Sequence, residues 1–334
     1  MAVGNSVERL YRHGGRLGDA HHLFPNAPSP WIDLSTGVNP VPWMGEGVAD
    51  DRRLPDPHAL ESLESAAAAM FGVAADHVAA VPGTEMALRL LPLLTLAHQV
   101  GVVSPTYSSH EQAWSGNGGL VRRLTPSDLD IRGLDAVVLG NPNNPDGAAT
   151  PKADVLALAE RMERQNGWLI VDEAFADATP DISVAGQAFG RLIVLRSFGK
   201  FFGRPGLRLG FVVAAPHFLG RLRRLVGEWP VSSHATIVGA GAYADRTWQE
   251  STRLRLEDDA ARMDQDLTKA GFTVTGGTTL FRLAAHPDAP ARFRQLAEQG
   301  ILTRPFSDMT SWLRFGLPRT EDRPRVKAAL MACA

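Results

Sequence analysis

The chain has 334 residues, 44% hydrophobic and 21% charged, enough apolar matter for about two folded domains and too much for a disordered polymer. Its formal net charge of −2 lacks the basic excess that nucleic acid or an anionic membrane surface attracts. The single cysteine, Cys333, excludes an intrachain disulfide and a cysteine-based metal cluster, leaves no metal site to expect, and fits a reducing compartment.

Taken in chain order, the N-terminal "MAVGNSVERLYRHGG" has no apolar core of the kind a signal peptide needs. The first 45 residues, rich in Pro, Gly, His and Asn, read as an arm that joins a small domain or a partner subunit. "ALESLESAAAAMFGV" is an amphipathic helix. The most apolar segment, "LRLLPLLTLAHQVGVV", is broken by Arg89, Pro92, His98 and Gln99 and is too interrupted to span a bilayer, so a soluble, cytoplasmic protein is expected. From 46 to 230, short apolar runs alternate with helical segments: "HVAAV", "QVGVV", "LDAVVLG", "GWLIVDEA", "RLIVLRS" and "LRLGFVVAA". Continuous apolar runs suit strands covered on both faces, and their alternation with helices predicts a large α/β domain with a mainly parallel sheet. From 231 to 334 the pattern changes to a long charged helix ending near Gly271, strand-like "TVTGG", "TTLFRLAA", "ILTRPF" and "WLRFGLP", and helices between and after them, which predicts a smaller α+β domain.

In such a sheet, ligands bind beyond the carboxyl ends of the strands. Four runs end there in polar residues. "AAVPGTEMAL" opens a helix at Gly83-Thr84-Glu85, whose free N–H groups suit an anion. "VVLGNPNNPDG" is a turn stiffened by its prolines that can hold the amide of Asn144 in one orientation. "WLIVDEAFAD" places Asp172 directly after a buried strand, where a carboxylate needs a cationic or donor partner. "VLRSFGKFFGRPGLRLGF" carries Ser197 and Arg208, suited to a phosphate, and Lys200 among Phe198, Phe201 and Phe202, where desolvation favours the neutral, nucleophilic amine. A nucleophilic lysine, a carboxylate aimed at a ring nitrogen, an oriented amide and a phosphate cradle are together what pyridoxal 5'-phosphate requires. Neither a dinucleotide-binding glycine motif nor a P-loop is present.

"GNPNNPDG", "VDEAF" and "SFGKFFGRPGLRLGF", in that order, resemble the motifs of fold-type I pyridoxal-phosphate enzymes of the class I/II aminotransferase superfamily. The resemblance implies a large domain with a mainly parallel seven-stranded sheet, a smaller α+β domain and a homodimer. It further implies that Lys200 holds the cofactor covalently, Asp172 pairs with the pyridine nitrogen and Asn144 meets the phenolic oxygen. By the same likeness Gly83, Thr84, Glu85, Ser197 and Arg208 hold the phosphate, Tyr107 in "SPTYSSH" stacks on the ring, and Arg314 in "WLRFG" binds the substrate carboxylate.

Within the superfamily, "RHGGRLGDA", "WIDLSTGVNPVPW" and "DEAF" are similar to the threonine-phosphate decarboxylase family of cobalamin biosynthesis. That likeness implies a phosphorylated amino-acid substrate met by His13, Arg16, Val38, Asn39, Asn144 and Arg314, and decarboxylation of L-threonine O-3-phosphate to (R)-1-amino-2-propanol O-2-phosphate. Transamination of the histidinol-phosphate type shares most of these features and stays open, because the residues do not say which bond at the α-carbon breaks. A non-catalytic pyridoxal-phosphate domain of a transcriptional regulator is a third reading, disfavoured by the absence of a basic surface. Three positions depart from the superfamily pattern: Phe175 for a tyrosine, Leu54 for a tyrosine reaching the neighbouring subunit, and Gly199 for a hydroxyl residue.

Overall fold

The computed structural model describes residues 4–45, 47 and 52–333, so residues 46 and 48–51, where the sequence pattern changes from arm to large domain, lie outside the described residues. The chain forms two compact units, one of residues 42–144 and 148–250, the other of residues 1–41, 145–147 and 251–334. The arm carries a first short strand, β1 (Ile32–Asp33).

The unit of 42–144 and 148–250 is built on seven strands: β2 (Val78–Val81), β3 (Gln99–Val103), β4 (Leu120–Leu124), β5 (Ala136–Gly140), β6 (Trp168–Asp172), β7 (Leu192–Ser197) and β8 (Gly210–Val213). Their order is β2-β8-β7-β6-β5-β3-β4, parallel from β7 through to β4 and antiparallel where β8 meets β7 and β2. Every residue of β2, β5 and β6 is buried, which is why these runs are apolar without alternation. A core of Val81, Leu88, Val102, Trp114, Val138, Ile170, Leu195 and their neighbours fills one face of the sheet. The apolar pattern of the sequence does not mark β4, whose "LVRRL" is mostly exposed and, among the described residues, pairs with β3 alone. Charge on an edge strand guards its open hydrogen-bonding side and erases the apolar signal.

Register places the future site. Gly140 pairs with Asp172, Asp172 with Leu195, Ser197 with Gly210 and Val81 with Gly210, so the ends of β2, β5, β6 and β7 and the start of β8 lie in one row. The chain leaves β3 for β4 on one side and returns to β5 on the other, the reversal at which α/β sheets open a crevice.

The second unit holds β9 (Thr273–Thr278), β10 (Phe281–Ala285), β11 (Ile301–Leu302), β12 (Arg304–Pro305) and β13 (Trp312–Gly316). An antiparallel sheet runs β12-β13-β10-β9, and β1 of the arm pairs in parallel with β11. No helix among the described residues is long and apolar enough to cross a membrane.

Two neighbouring strand ends of the sheet are braced by a buried ionic cluster. Arg196, 2% exposed, donates to Glu173 at 2.8 Å, to Ser183 Oγ at 2.9 Å and to Asp177. Burial opposes its charge, but Asp177 and Glu173 outweigh that and hold the guanidinium ionised. Glu173, Asp177 and Ser183 all follow β6, so the cluster ties the segment after β6 to the end of β7. Removing the cation strands two buried carboxylates, so Arg196→Leu is expected to cost about 3–5 kcal/mol in urea unfolding; a loss under about 1 kcal/mol, the range of a surface pair, would contradict this role.

Candidate active site

Asp172 ends β6 at 8% exposure. Its Oδ1 accepts from the Ala174 N–H at 3.1 Å, and its Oδ2 faces His110 Nε2 at 2.9 Å. His110 is 1% exposed and sits on the helix Ser109–Ser115. Its Nδ1 lies 3.3 Å from Thr106 Oγ1, which donates at 2.7 Å to Asn143 Oδ1. Asn143 Nδ2 in turn donates to the Pro105 carbonyl at 2.8 Å, which fixes the orientation of that amide. Each Asp172 oxygen keeps lone-pair capacity for a further donor, so the carboxylate is both anchored and able to receive a cationic N–H.

Lys200 lies on the one-turn helix Phe198–Phe201 that follows β7. Phe198, Phe201 and Phe202 are fully buried and pack with Tyr243 and Trp248. Lys200 is turned about 200° around the helix from Phe198, and its Nζ stands 5.5 Å from the centre of the Phe175 ring. Phe175, which replaces the expected tyrosine, thus sets an aromatic ring beside the amine. Gly199 also has a local cause: a methyl there would fall 2.7 Å from Pro205 Cα, so no side chain fits between the lysine turn and the following loop.

The anion-suited corner is formed by the start of helix Thr84–Thr95, which has no side-chain cap. Gly83 has φ +81°, and a methyl on it would fall 2.6 Å from Arg208 Nη2. Arg208 is itself held in the left-handed region at φ 56°, with Nη1 donating to the Pro205 carbonyl at 3.2 Å. Gly210 lets β8 pass directly beneath the Thr84 N–H, for a methyl there would sit 2.7 Å from that nitrogen. Glycine is needed at two points of this corner, where the start of the helix, without a side-chain cap, lies against the Arg208 guanidinium. Ser197, half-buried, ends β7 beside Gly210 in the same row. Glu85 contributes a backbone N–H; its carboxylate accepts from Arg89 at 2.8 Å and from the Tyr107 hydroxyl at 3.2 Å. Burial pushes the Tyr107 hydroxyl's pKa up, and Glu85 adds to this, keeping it a neutral donor. Asn144 comes after Asn143 in a loop whose base is stapled by Asn141, its amide bonded in both directions to the Thr150 backbone at 3.1 and 2.9 Å.

The other unit gathers most of the residues read as substrate contacts. The Gly15 N–H donates to Ser35 Oγ at 2.8 Å, and a side chain on Gly14 would overlap the Ser35 carbonyl, so the His13-Gly14-Gly15 turn is pressed onto the "DLSTGVNP" segment. Arg314, 6% exposed on β13, donates to the same Ser35 carbonyl at 2.9 Å and lies 5.0 Å over the Phe281 ring. Asn39 is buried, its side-chain oxygen taken by the Val41 N–H at 3.0 Å and by Arg255 at 2.7 Å; Val38 beside it is half-buried. Arg16 donates to Asp19 at 3.0 Å, so its charge is already shared with a carboxylate. Arg255 is not distinguished by the sequence, where it is one of several arginines on a long charged helix.

A family model described as aminotransferase class I and II matches residues 48–329. The chain belongs to this aminotransferase family. It is 38% identical over 326 residues to a threonine-phosphate decarboxylase of Pseudomonas aeruginosa, covering 96% of this chain and 98% of that one. A threonine-phosphate decarboxylase of a Sinorhizobium species is 39% identical over 310 residues, covering 91% of this chain and 92% of the relative. Among solved structures, the histidinol-phosphate aminotransferase of Sinorhizobium meliloti in complex with pyridoxal-5'-phosphate superposes with a TM-score of 0.75 at 19% identity, over 85% of this chain and 83% of that one, a likeness of fold.

Within this aminotransferase-family chain, His110 is, like Arg255, a residue that the sequence does not single out. It stands in the quoted "SPTYSSH", three places after Tyr107, but nothing local distinguishes a histidine that will meet an aspartate 62 residues away. The tight Gly83–Arg208 approach gives a direct test. Gly83→Ala is expected to weaken pyridoxal phosphate binding at least about tenfold, through a strained φ and a displaced guanidinium, when titrated by visible absorbance. Unchanged affinity would show that the corner does not hold a phosphate.

Proposed function

We propose that the protein is a pyridoxal-phosphate-dependent decarboxylase of L-threonine O-3-phosphate, yielding (R)-1-amino-2-propanol O-2-phosphate in cobalamin biosynthesis. The observation that carries the reading is 38% identity to a threonine-phosphate decarboxylase along 96% of the chain. The residues present fit the cofactor: the Gly83–Arg208 approach leaves a cradle that a side chain would fill, and Asp172 is anchored with capacity to spare. Lys200 would hold the cofactor through its amine, Asp172 would face the ring nitrogen and Asn144 the phenolic oxygen. The N–H groups of Thr84 and Glu85, with Ser197 and Arg208, would take the phosphate beside Gly83, whose own N–H donates to the Val81 carbonyl at 2.7 Å, and Tyr107 would cover the ring. When bound, the cofactor supplies an electron sink conjugated with the substrate nitrogen.

The remaining work falls to the protein's own groups. Arg314 binds the substrate carboxylate through a charge-assisted fork. His13, with Arg16 beside it, takes the substrate phosphate, and Val38 and Asn39 shape the mouth. Asp172, anchored by His110, keeps a proton on the ring nitrogen. Lys200, its amine freed by exchange with the substrate amine, or a water would return a proton to the α-carbon after the carboxylate departs as carbon dioxide. We further propose that the protein is a cytoplasmic homodimer, expected to show the mass of two chains in solution scattering; an active monomer would overturn this.

The reaction is tested by two incubations of the cofactor-loaded protein. Threonine phosphate alone is expected to release carbon dioxide and leave aminopropanol phosphate. Histidinol phosphate with 2-oxoglutarate is expected to yield no glutamate. Glutamate from the second with no carbon dioxide from the first would replace the reading with an aminotransferase.

A further inference from the structure

The tip of the Asn144 loop is anchored by a contact that no side chain could enter. Residues 145–147 belong to the same compact unit as β9, although the residues flanking them belong to the other. The Gly277 N–H donates to the Asp146 carbonyl at 2.7 Å. β9 is the last strand of its sheet, so this bond takes up a donor on its open edge. A side chain on Gly276 would overlap the Asp146 carbonyl oxygen, and one on Gly147 would overlap the Gly277 carbonyl. Gly147, at φ +71°, and Gly277, at φ +134°, also hold conformations that other residues rarely adopt. The base of the loop is closed separately, by the Asn143 N–H to the Ala148 carbonyl at 2.8 Å and by the Asn141 staple. Asn144 stands between base and tip, one peptide bond from the anchored segment.

We propose that Gly147, Gly276 and Gly277 are positioning residues for Asn144: backbone contact at the β9 edge sets where the loop tip lies and so where the Asn144 amide is held. The inference rests on the reading of Asn144 as the donor to the cofactor's phenolic oxygen. Gly276 is the clean site for a test, because its φ is not left-handed and the clash alone is introduced. The phosphate cradle lies on other elements, so the cofactor stays bound in the variant.

A donor on the phenolic oxygen is worth most when the neighbouring nitrogen has lost its proton, so losing the donor raises the pH at which the bound cofactor changes colour. Asn144→Ala is expected to raise that midpoint by about one unit, a tenfold change in proton affinity. Gly276→Ala is expected to raise it by roughly half a unit or more, with no further rise when combined with Asn144→Ala. A shift in Asn144→Ala with none in Gly276→Ala overturns the positioning role. No shift in Asn144→Ala overturns the reading of Asn144 itself, and the positioning role with it. Hydrogen exchange in the unaltered protein gives a second measurement that no variant's folding affects. The Gly277 amide is expected to exchange as slowly as the amides paired inside the β9–β10 ladder, and exchange at the rate of an open strand edge would overturn the contact.

Discussion

A carboxylate at the end of a fully buried strand is the constraint around which this site is organised. Asp172 cannot sit there without partners, because an ion removed from water costs several kcal/mol unless compensated. The compensation comes from the Ala174 N–H on one oxygen and from His110 on the other. His110 requires its own support, which runs through Thr106 and Asn143 to a backbone carbonyl. The loop after β5 is therefore tied to the carboxylate at the end of β6 by polar contacts, independently of the sheet. The strand register sets the rest: once Asp172 pairs with Gly140 and Leu195, the residues just beyond β5, β6 and β7 are neighbours by construction.

At the opposite corner the governing factor is space. Gly83, Gly199 and Gly210 each face another part of the chain at a distance that a methyl would violate. Two of these absences bring backbone N–H groups and the Arg208 fork together; the third lets the lysine turn pack on Pro205. Gly199 thus ceases to be an anomaly against the family pattern. A residue with a hydroxyl would need the Pro205 loop to move, and that loop also carries Arg208.

Much of the site is legible in the sequence because buried parallel strands write continuous apolar runs, and the residues just beyond each run lie at the ligand end of the sheet. Asp172 after "WLIV", Lys200 after "RLIVLRS" and Gly83 after "HVAAV" can be marked for that reason. β4 cannot, because its edge position permits the arginines that hide it. His110 cannot, because its partner is fixed by topology, not by spacing. Glu85 is marked for the phosphate, yet its carboxylate is turned to Tyr107 and Arg89, a choice made by two side chains that approach from different directions. The tie between residues 146–147 and β9 escapes for the same reason: glycines in "NPDG" and "TVTGG" read as ordinary turn and strand punctuation until the two segments are seen in contact.

The proposed chemistry depends above all on Lys200, the lysine at the end of this row of strands. The sequence has four lysines, Lys152, Lys200, Lys269 and Lys327, so the assignment can be read without ambiguity. The measurement is borohydride reduction of the protein loaded with pyridoxal phosphate, followed by digestion and peptide mass mapping. The reduced cofactor is expected on the peptide containing Lys200 and on no other. Cofactor found on Lys152, Lys269 or Lys327, or none retained, would contradict the assignment.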